Sequence, residues 1–208
     1  STCISLLIAY PLAYILSKNQ GSKKGIIIML FILPMWINFL LRVLALQMIL
    51  ANTGILNGIL NFFGLPSQHL LYTRTAILIG MTYDYLPFMI LPIYNAMCKI
   101  DRDLIHAAAD LGAGSKLIFR KIILPLSMPG VISGIIMVFV PSISEFAIAD
   151  ILGGSKILLI GNVIEQEFSL TNNWHLGSGL SIVLMVFIFI SMAVMNKNDA
   201  EGEGQMIW

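Results

Sequence analysis

Five long apolar segments, separated by polar stretches, constrain this chain more than any other feature of its sequence. They cover approximately residues 1–16, 26–50, 76–98, 126–149 and 176–195, and a polar tail follows at 196–208. A helix needs roughly 20 apolar residues to cross the hydrocarbon core of a bilayer. Charged residues make up only 11% of the chain, against about a quarter in soluble domains. The sequence therefore predicts an all-α integral membrane protein with five spans.

The lysines and arginines are distributed unequally between the two alternating sets of loops. The loops at 17–25, 99–125 and 196–208 hold nine of them, and the loops at 51–75 and 150–175 hold two. Because Lys and Arg are enriched in cytoplasmic loops, the first set is expected to be cytoplasmic. A short amphipathic helix is expected after Ala51, at the outer surface. Since Ser1 already lies inside an apolar segment, we also expect an earlier N-terminal span to be missing.

The segment from Asp101 to Pro125, called here the elbow, is the most charged interruption between two apolar segments. Asp101 is a good N-cap for a first helix. Gly112 can take the left-handed conformation that closes a helix C-terminus. Ser115 is then expected to cap a second helix, which Leu124 completes and Pro125 ends, because proline cannot continue the hydrogen-bond ladder.

The first helix of the elbow has two distinct faces at helical spacing. The apolar face, expected to point inward, consists of Leu104, Ala107, Ala108 and Leu111. The polar face, expected to point outward, consists of Arg102, His106 and Asp110. Such a helix suggests a docking surface, and a solvated interfacial loop is the alternative.

Charged side chains inside apolar segments indicate a functional site, because they are costly in lipid. An arginine near the centre of a span costs about 2.5–3.5 kcal/mol on insertion scales. Arg42 lies in the second segment, and Glu145 lies in the fourth, followed by Phe146 and Asp150. The alternatives are an Arg42 that extends to the outer surface, an ion pair between Glu145 and Arg42, and an Asp150 that only marks the end of the span.

The third segment contains an acid between two tyrosines, Tyr83, Asp84 and Tyr85, near its outer end. A carboxylate beside aromatic rings can hold an amine by charge and by cation–π contact. The alternative is a solvated aspartate within an interfacial aromatic belt.

Prolines and glycines predict local features of the spans. Pro34 is expected to kink the second segment, and Pro141 is expected to break the fourth. Gly130 and Gly134 have the spacing that lets another helix approach closely.

The elbow resembles the cytoplasmic loop of permease subunits in binding-protein-dependent ABC importers. Ala107-Ala108, Gly112 and Ile122-x-Leu124-Pro125 match the family pattern, and His106 stands where the pattern has glutamate. The resemblance implies a coupling helix that sits in a cleft of an ATPase subunit. The residues it assigns to coupling are His106, Ala107, Ala108, Asp110, Gly112, Leu124 and Pro125. The family also has Trp and Arg in the second segment, which places Trp36 beside Arg42 in the candidate pathway.

The wider chain is similar to the B-type permease of spermidine/putrescine ABC importers. The similarity is carried by YDYLPFMILPIYNAMCKID, ILPLSMPGVISGIIMVFVPSISEFAIADILGG, LIGNVIEQEF and NWHLGSG. It implies a type I importer bundle in a bacterial cell membrane that moves polyamines by alternating access. The implied partners are a homologous second permease, a cytoplasmic ATPase dimer and an extracytoplasmic polyamine-binding protein. The alternatives are a related importer for another small solute, and a stand-alone secondary transporter or channel.

Several classes of site are not expected. The chain has no GxxxxGK[ST] loop, so ATP hydrolysis is expected in a partner and the chain itself is not expected to be an enzyme. His69, His106 and His175 lie in separate loops without metal-ligand spacing, so no metal or cofactor is expected. Cys3 and Cys98 are expected near opposite membrane faces, too far apart for a disulfide. The net charge of +1 gives no indication of nucleic-acid binding.

Overall fold

The computed structural model describes residues 1–18, 29 and 31–204, with side chains as far as residue 195. These described residues form helices and no strand. The helices are α1 Thr2–Lys18, α2 Phe39–Leu50, α3 Ile55–Phe62, α4 Arg74–Cys98, α5 Arg102–Asp110, α6 Ser115–Ile118, α7 Leu124–Ser144, α8 Ala147–Gly153, α9 Ile160–Ser169 and α10 Trp174–Gly204. A 3-10 turn at Leu33–Trp36 precedes α2, and a π-helical turn at Phe119–Ile123 joins α6 to α7.

Four helical stretches among the described residues are long and apolar enough to cross a membrane. They are Phe39–Phe62, Arg74–Cys98, Ser115–Ser144 and Trp174–Met195. The first consists of α2 and α3 with a turn between them, so the short helix expected after Ala51 is present as α3. The apolar helix α1, at 17 residues, is shorter than these four. Residues 26–28 and 30 of the expected second segment, and residues 205–208 of the tail, lie outside the described residues.

The second segment is interrupted at Pro34, as expected, but by more than a kink. Pro34 lies inside the 3-10 turn, and the chain is extended at Ile37 before α2 begins. Asn38 caps α2, because its side-chain oxygen accepts hydrogen bonds from the N–H groups of Leu40 and Leu41. The helix therefore begins again at Phe39.

The expected helix ends around two other prolines and Ser115 are wrong. Pro125 is the second residue of α7, and α6, the π-helical turn and α7 run on as one helical stretch. In a π-helical turn each N–H bonds to the carbonyl five residues earlier, as the N–H of Leu124 does to the carbonyl of Phe119. The backbone hydrogen-bond pattern therefore shifts directly before Pro125, which has no N–H to donate. Gly114 occupies the N-cap position of α6, and Ser115 is its first residue. Pro141 lies within α7, which ends three residues later at Ser144.

The described residues form two compact units, and each is built on its own contacts. The first unit comprises Ile32–Asp84 and Val140–Ile188, together with Ser1. It holds α2, α3, α8 and α9. Side chains of Ile148 and Leu152 pack directly on the backbone at Gly80 of α4. The N–H of Tyr72 donates to the carbonyl of Leu152, and the Gln47 amide donates to the carbonyl of Ile151.

The second unit comprises Thr2–Phe31, Tyr85–Phe139 and Phe189–Trp208, and it holds α1 and the elbow. Its helices α4 and α7 approach closely, as the glycine spacing predicts. A Cβ placed at Gly130 would lie 2.6 Å from the carbonyl oxygen of Pro92, and one at Gly134 would lie 2.9 Å from the sulfur of Met89. α1 joins the same packing through the hydroxyl of Tyr10, 2.9 Å from that of Ser127.

Candidate translocation and coupling sites

Arg42 and Asp84 form a buried ion pair in the first unit. The cap at Asn38 starts α2 so that Arg42 lies in its first turn, with its backbone N–H bonded to the carbonyl of Asn38. Its Nη2 lies 2.7 Å from Oδ1 of Asp84, and the two side chains are only 9% and 6% exposed. Nη1 donates to the carbonyl of Pro34 at 3.3 Å. An Arg42 that extends to the surface and an Asp84 that is solvated are therefore both wrong.

Glu145 lies at the break between α7 and α8. Its Oε1 accepts a hydrogen bond from the N–H of Ile148, at 3.1 Å. A carboxylate at this position stabilises the N-terminus of α8, where N–H groups lack helical partners. Glu145 also interacts electrostatically with Asp84. The carboxylate 2.7 Å from Nη2 of Arg42 is that of Asp84.

Two residues that the sequence did not single out hold this break in place. The Asn162 side chain donates to the carbonyl of Phe146 and accepts from the N–H of Leu159, and it is 1% exposed. Gly161 lets α9 approach the end of α7, because a Cβ there would lie 2.5 Å from the carbonyl oxygen of Ser144. The Gly-Asn pair in LIGNVIEQEF is the signal that could have identified them.

The aromatic pathway candidates differ sharply in exposure. Trp36 is 84% exposed, and Tyr83 and Phe146 are also exposed, although Asp84 beside Tyr83 is buried. Tyr85 is buried in the second unit. Asp84 is therefore enclosed, Glu145 and Asp150 are partly exposed, and three of the four aromatic rings present open surface.

Asp150 lies on α8, beside a cavity of about 460 Å³ in the first unit. Its Oδ1 accepts from the hydroxyl of Ser155 at 3.0 Å. Lys156, on the same cavity wall, places its Nζ 5.8 Å from the ring centroid of Tyr72. Asp150, predicted either to line the pathway or to mark the end of the span, is thus part of the wall of this cavity.

The helix α5 of the elbow forms with the predicted ends. The Asp101 side chain accepts from the N–H of Asp103 at 3.0 Å, and the helix closes at Gly112 with φ +84°. Leu111 and Ala113 donate to the carbonyls of Ala107 and Ala108, which completes the C-terminal turn.

Both faces of α5 are largely exposed, the polar face as well as most of the apolar face. Leu104 and Leu111 of the apolar face are 51% and 90% exposed, and Ala107 is exposed as well. Arg102 and His106, although exposed, also line a cavity of about 240 Å³ together with the ends of α1 and α4. Within the apolar face only Ala108 is half-buried, so the expectation that this face points inward is wrong for Leu104, Ala107 and Leu111.

The remaining coupling candidates surround this helix. Ala108 is half-buried and Asp110 is exposed. Leu124 and Pro125 are exposed at the start of α7, directly after buried Ile123. The elbow therefore has an exposed apolar strip on α5, and Leu124 and Pro125 form a second exposed surface at its C-terminal end.

No cluster of three or more His, Cys, Asp or Glu side chains among the described residues is arranged to hold a metal ion. Cys3 and Cys98 are both exposed, and neither forms a disulfide.

Comparison with known proteins gives one family over nearly the whole chain. Residues 5–199 match the model of the family described as binding-protein-dependent transport system inner membrane component. The spermidine/putrescine transport system permease protein PotB of Haemophilus influenzae is 43% identical over 93% of this chain and 68% of its own length. PotB of Escherichia coli is 37% identical over 93% of this chain and 71% of its own length.

Solved structures give the same fold at low sequence identity. A bacterial ABC transporter involved in the import of the acidic polysaccharide alginate superimposes with a TM-score of 0.74 at 15% identity. The match covers 96% of this chain and 75% of that chain. The fold shared with it is an all-α membrane bundle.

Proposed function

Because the chain belongs to the family of binding-protein-dependent transport system inner membrane components, it is a transport permease subunit of the inner membrane, and we propose that its substrates are polyamines. The observation that carries the proposal is the similarity to two spermidine/putrescine permeases across more than nine tenths of the chain. This similarity extends through α4, α7 and α8, which carry the candidate acids.

The charges of the first unit suit a flexible polycation. Asp84, Glu145 and Asp150 all belong to this unit, and polyamines need carboxylates spaced along their path. Asp84 already holds the guanidinium of Arg42. A substrate ammonium can replace that guanidinium without leaving the carboxylate unpaired, whereas a neutral solute cannot. Trp36, Tyr83 and Phe146 offer exposed rings for cation–π contact with the same substrate.

The energy source in this proposal is ATP, hydrolysed by a partner. The elbow is cytoplasmic according to the distribution of Lys and Arg. Its exposed apolar strip of Leu104, Ala107 and Leu111 suits a cleft in a cytoplasmic ATPase dimer. Closure of that dimer moves α5, and the bundle alternates between outward and inward openings. A homologous second permease and an extracytoplasmic polyamine-binding protein complete the importer.

Uptake by the reconstituted complex tests this function. Proteoliposomes would contain this chain with its co-purifying subunits, with ATP on the side of the elbow and labelled spermidine and binding protein on the other. We expect ATP-dependent uptake that unlabelled putrescine or spermidine suppresses and that neutral or acidic solutes do not. A non-hydrolysable ATP analogue is the control.

Two results would contradict the proposal in different ways. Uptake without any nucleotide would remove the ATP-driven mechanism. ATP-dependent uptake of another solute, unaffected by polyamines, would leave the importer intact and remove the polyamine assignment.

A further inference from the structure

A cavity in the second unit lies where the membrane-length helix α4 and the shorter apolar helix α1 end. It has a volume of about 240 Å³ and is bounded by the last turn of α1, the last turn of α4 and the inner face of α5. Lys18 and Met97 lie in those last turns, and Arg102 and His106 contribute from α5. We call it the basic cavity.

The charged side chains that line the basic cavity are cations. Lys18 and Arg102 are permanently charged at neutral pH, and no Asp or Glu is among the lining residues in the part of the chain that the structure describes. The ammonium of Lys18 is held 4.4 Å from the ring centroid of Tyr14, which is another lining residue. His106 occupies the position where the importer pattern has a glutamate, so the wall lacks the acid that would offset these cations.

The position of the cavity at the ends of the helices and its apolar lining point to an amphipathic ligand. The ends of membrane-spanning helices lie at the level of the lipid headgroups. Met97, Ile105 and Ile123 give the same cavity an apolar wall. Basic pockets between spans on the cytoplasmic side bind anionic lipid headgroups. A small soluble anion would use the cations and leave the apolar wall unused.

We propose that the basic cavity binds the phosphate of an anionic phospholipid, with Lys18 and Arg102 as its charged contacts. The glycerol and the first methylenes lie against Met97, Ile105 and Ile123. Because the cavity joins α1 and α4 to α5, a bound lipid also braces α5 against the membrane-spanning helices. The proposal does not depend on the identity of the transported substrate.

Cys98 provides a probe inside the site, because it lines the basic cavity and is exposed. A Cys3→Ala variant leaves it as the one cysteine of the chain. The purified transport complex would be placed in nanodiscs of phosphatidylcholine, with or without phosphatidylglycerol, and alkylated with a soluble maleimide. We expect phosphatidylglycerol to slow alkylation of Cys98. Removing one cation should weaken lipid binding about fivefold, so Lys18→Gln with Arg102→Gln should abolish the protection.

Matched variants distinguish lipid binding in this cavity from a general electrostatic attraction between the elbow and anionic lipids. Lys116→Gln with Arg120→Gln removes the same charge from exposed positions of the elbow that do not line the cavity. This control should retain the protection by phosphatidylglycerol. His106→Glu keeps both cations and adds an acid to the wall, so it should lose most of the protection and retain fewer phosphatidylglycerol molecules in native mass spectrometry.

Two outcomes would overturn the proposal. Equal protection in the Lys18→Gln/Arg102→Gln and Lys116→Gln/Arg120→Gln variants would mean that the lipid acts through the membrane surface and not through this cavity. Protection by free glycerol 3-phosphate in pure phosphatidylcholine nanodiscs, at the level given by phosphatidylglycerol, would assign the site to a soluble phosphate. Neither outcome bears on polyamine uptake, so failure here is distinguishable from failure of the transport function.

Discussion

At the scale of single residues, the buried pair formed by Arg42 and Asp84 carries a desolvation penalty. Both groups are removed from water, and the hydrogen bond from Arg42 to the carbonyl of Pro34 offsets part of the free energy of desolvation. A buried pair is weak evidence for stability, because apolar residues of similar size often serve as well. Retention of this pair in an apolar span therefore favours a role in transport over a role in folding.

Breaking this pair from one side should destabilise the protein strongly. In Asp84→Asn, Arg42 keeps its charge in a buried site without its carboxylate, at a cost of about 3–5 kcal/mol. The double variant Arg42→Met/Asp84→Leu removes both charges and should recover most of the lost stability. Thermal unfolding of the purified proteins, followed by tryptophan fluorescence, measures both effects. Equal losses in the single and double variants would show that the ion pair is not the cause.

The double variant also separates folding from transport. If Asp84 receives substrate, Arg42→Met/Asp84→Leu should fold and yet fail to take up polyamine.

The substitution Glu145→Gln removes the charge of this side chain and leaves its shape almost unchanged. The glutamine oxygen can still accept from the N–H of Ile148, so the start of α8 should be preserved. The charged acceptor for an ammonium is lost, and hydrogen bonds to charged groups contribute about 1.5–3 kcal/mol. We expect the initial rate of labelled spermidine uptake to fall about tenfold or more. Unchanged kinetics would remove Glu145 from the substrate pathway.

At the scale of elements, α5 shows why orientation matters more than helix formation. Its cap, its length and its glycine end are local features, and all of them form as the residues predict. Its open apolar strip is not covered by any of the residues that the structure describes, since Leu111 is 90% exposed. An unpartnered strip on an otherwise polar, highly charged segment is a feature of a binding surface.

Ala107→Trp should block docking at this strip without disturbing the fold. Ala107 is exposed, so the larger side chain has space in the isolated chain. We expect loss of ATPase co-purification and of uptake, with normal membrane insertion. Leu170→Trp, a large substitution at an exposed site outside the elbow, is the control and should keep the ATPase.

Gly112→Trp should also abolish uptake, for a different reason. No neighbour lies within 4 Å of a Cβ at Gly112, but its φ of +84° is costly for any residue with a side chain. The turn after α5 would be displaced. Normal uptake by a well-folded Gly112→Trp protein would count against the coupling role of the elbow.

At the scale of the whole molecule, the candidate acids and the elbow belong to different units. Asp84, Glu145 and Asp150 are in the first unit, and residues 101–125 are in the second. Three helices, α4, α7 and α10, have residues in both units, and α4 and α7 flank the elbow. A movement of α5 can therefore reach the acids through continuous helices, which is what alternating access requires.

This division predicts two separable defects in the assembled importer. Glu145→Gln should leave ATP hydrolysis by the complex near its normal rate while uptake falls, because the elbow is untouched. Ala107→Trp should reduce both activities, because the ATPase no longer docks. Parallel measurement of phosphate release and labelled spermidine uptake checks this. Loss of hydrolysis in both variants would mean that the two sites are not separable.

Some features of the structure could be predicted from the sequence, and others could not. The cap at Asp101, the left-handed Gly112 and the close approach at Gly130 and Gly134 were all predictable. Each depends on a residue and its near neighbours, or on a spacing of one helical turn. The prolines were harder, because the π-helical turn before Pro125 lets the helix continue where local rules end it.

Apolar length and backbone conformation are local properties, so the amino-acid sequence is enough to predict a helical membrane protein with a capped, glycine-ended elbow. Packing between distant segments, by contrast, pairs Asp84 with Arg42, brings Glu145 to the start of α8 and forms the cavity that Arg102 and His106 line. These outcomes depend on which side chains from distant segments exclude water together. The period of a helix defines its faces, but only packing selects the face that is buried.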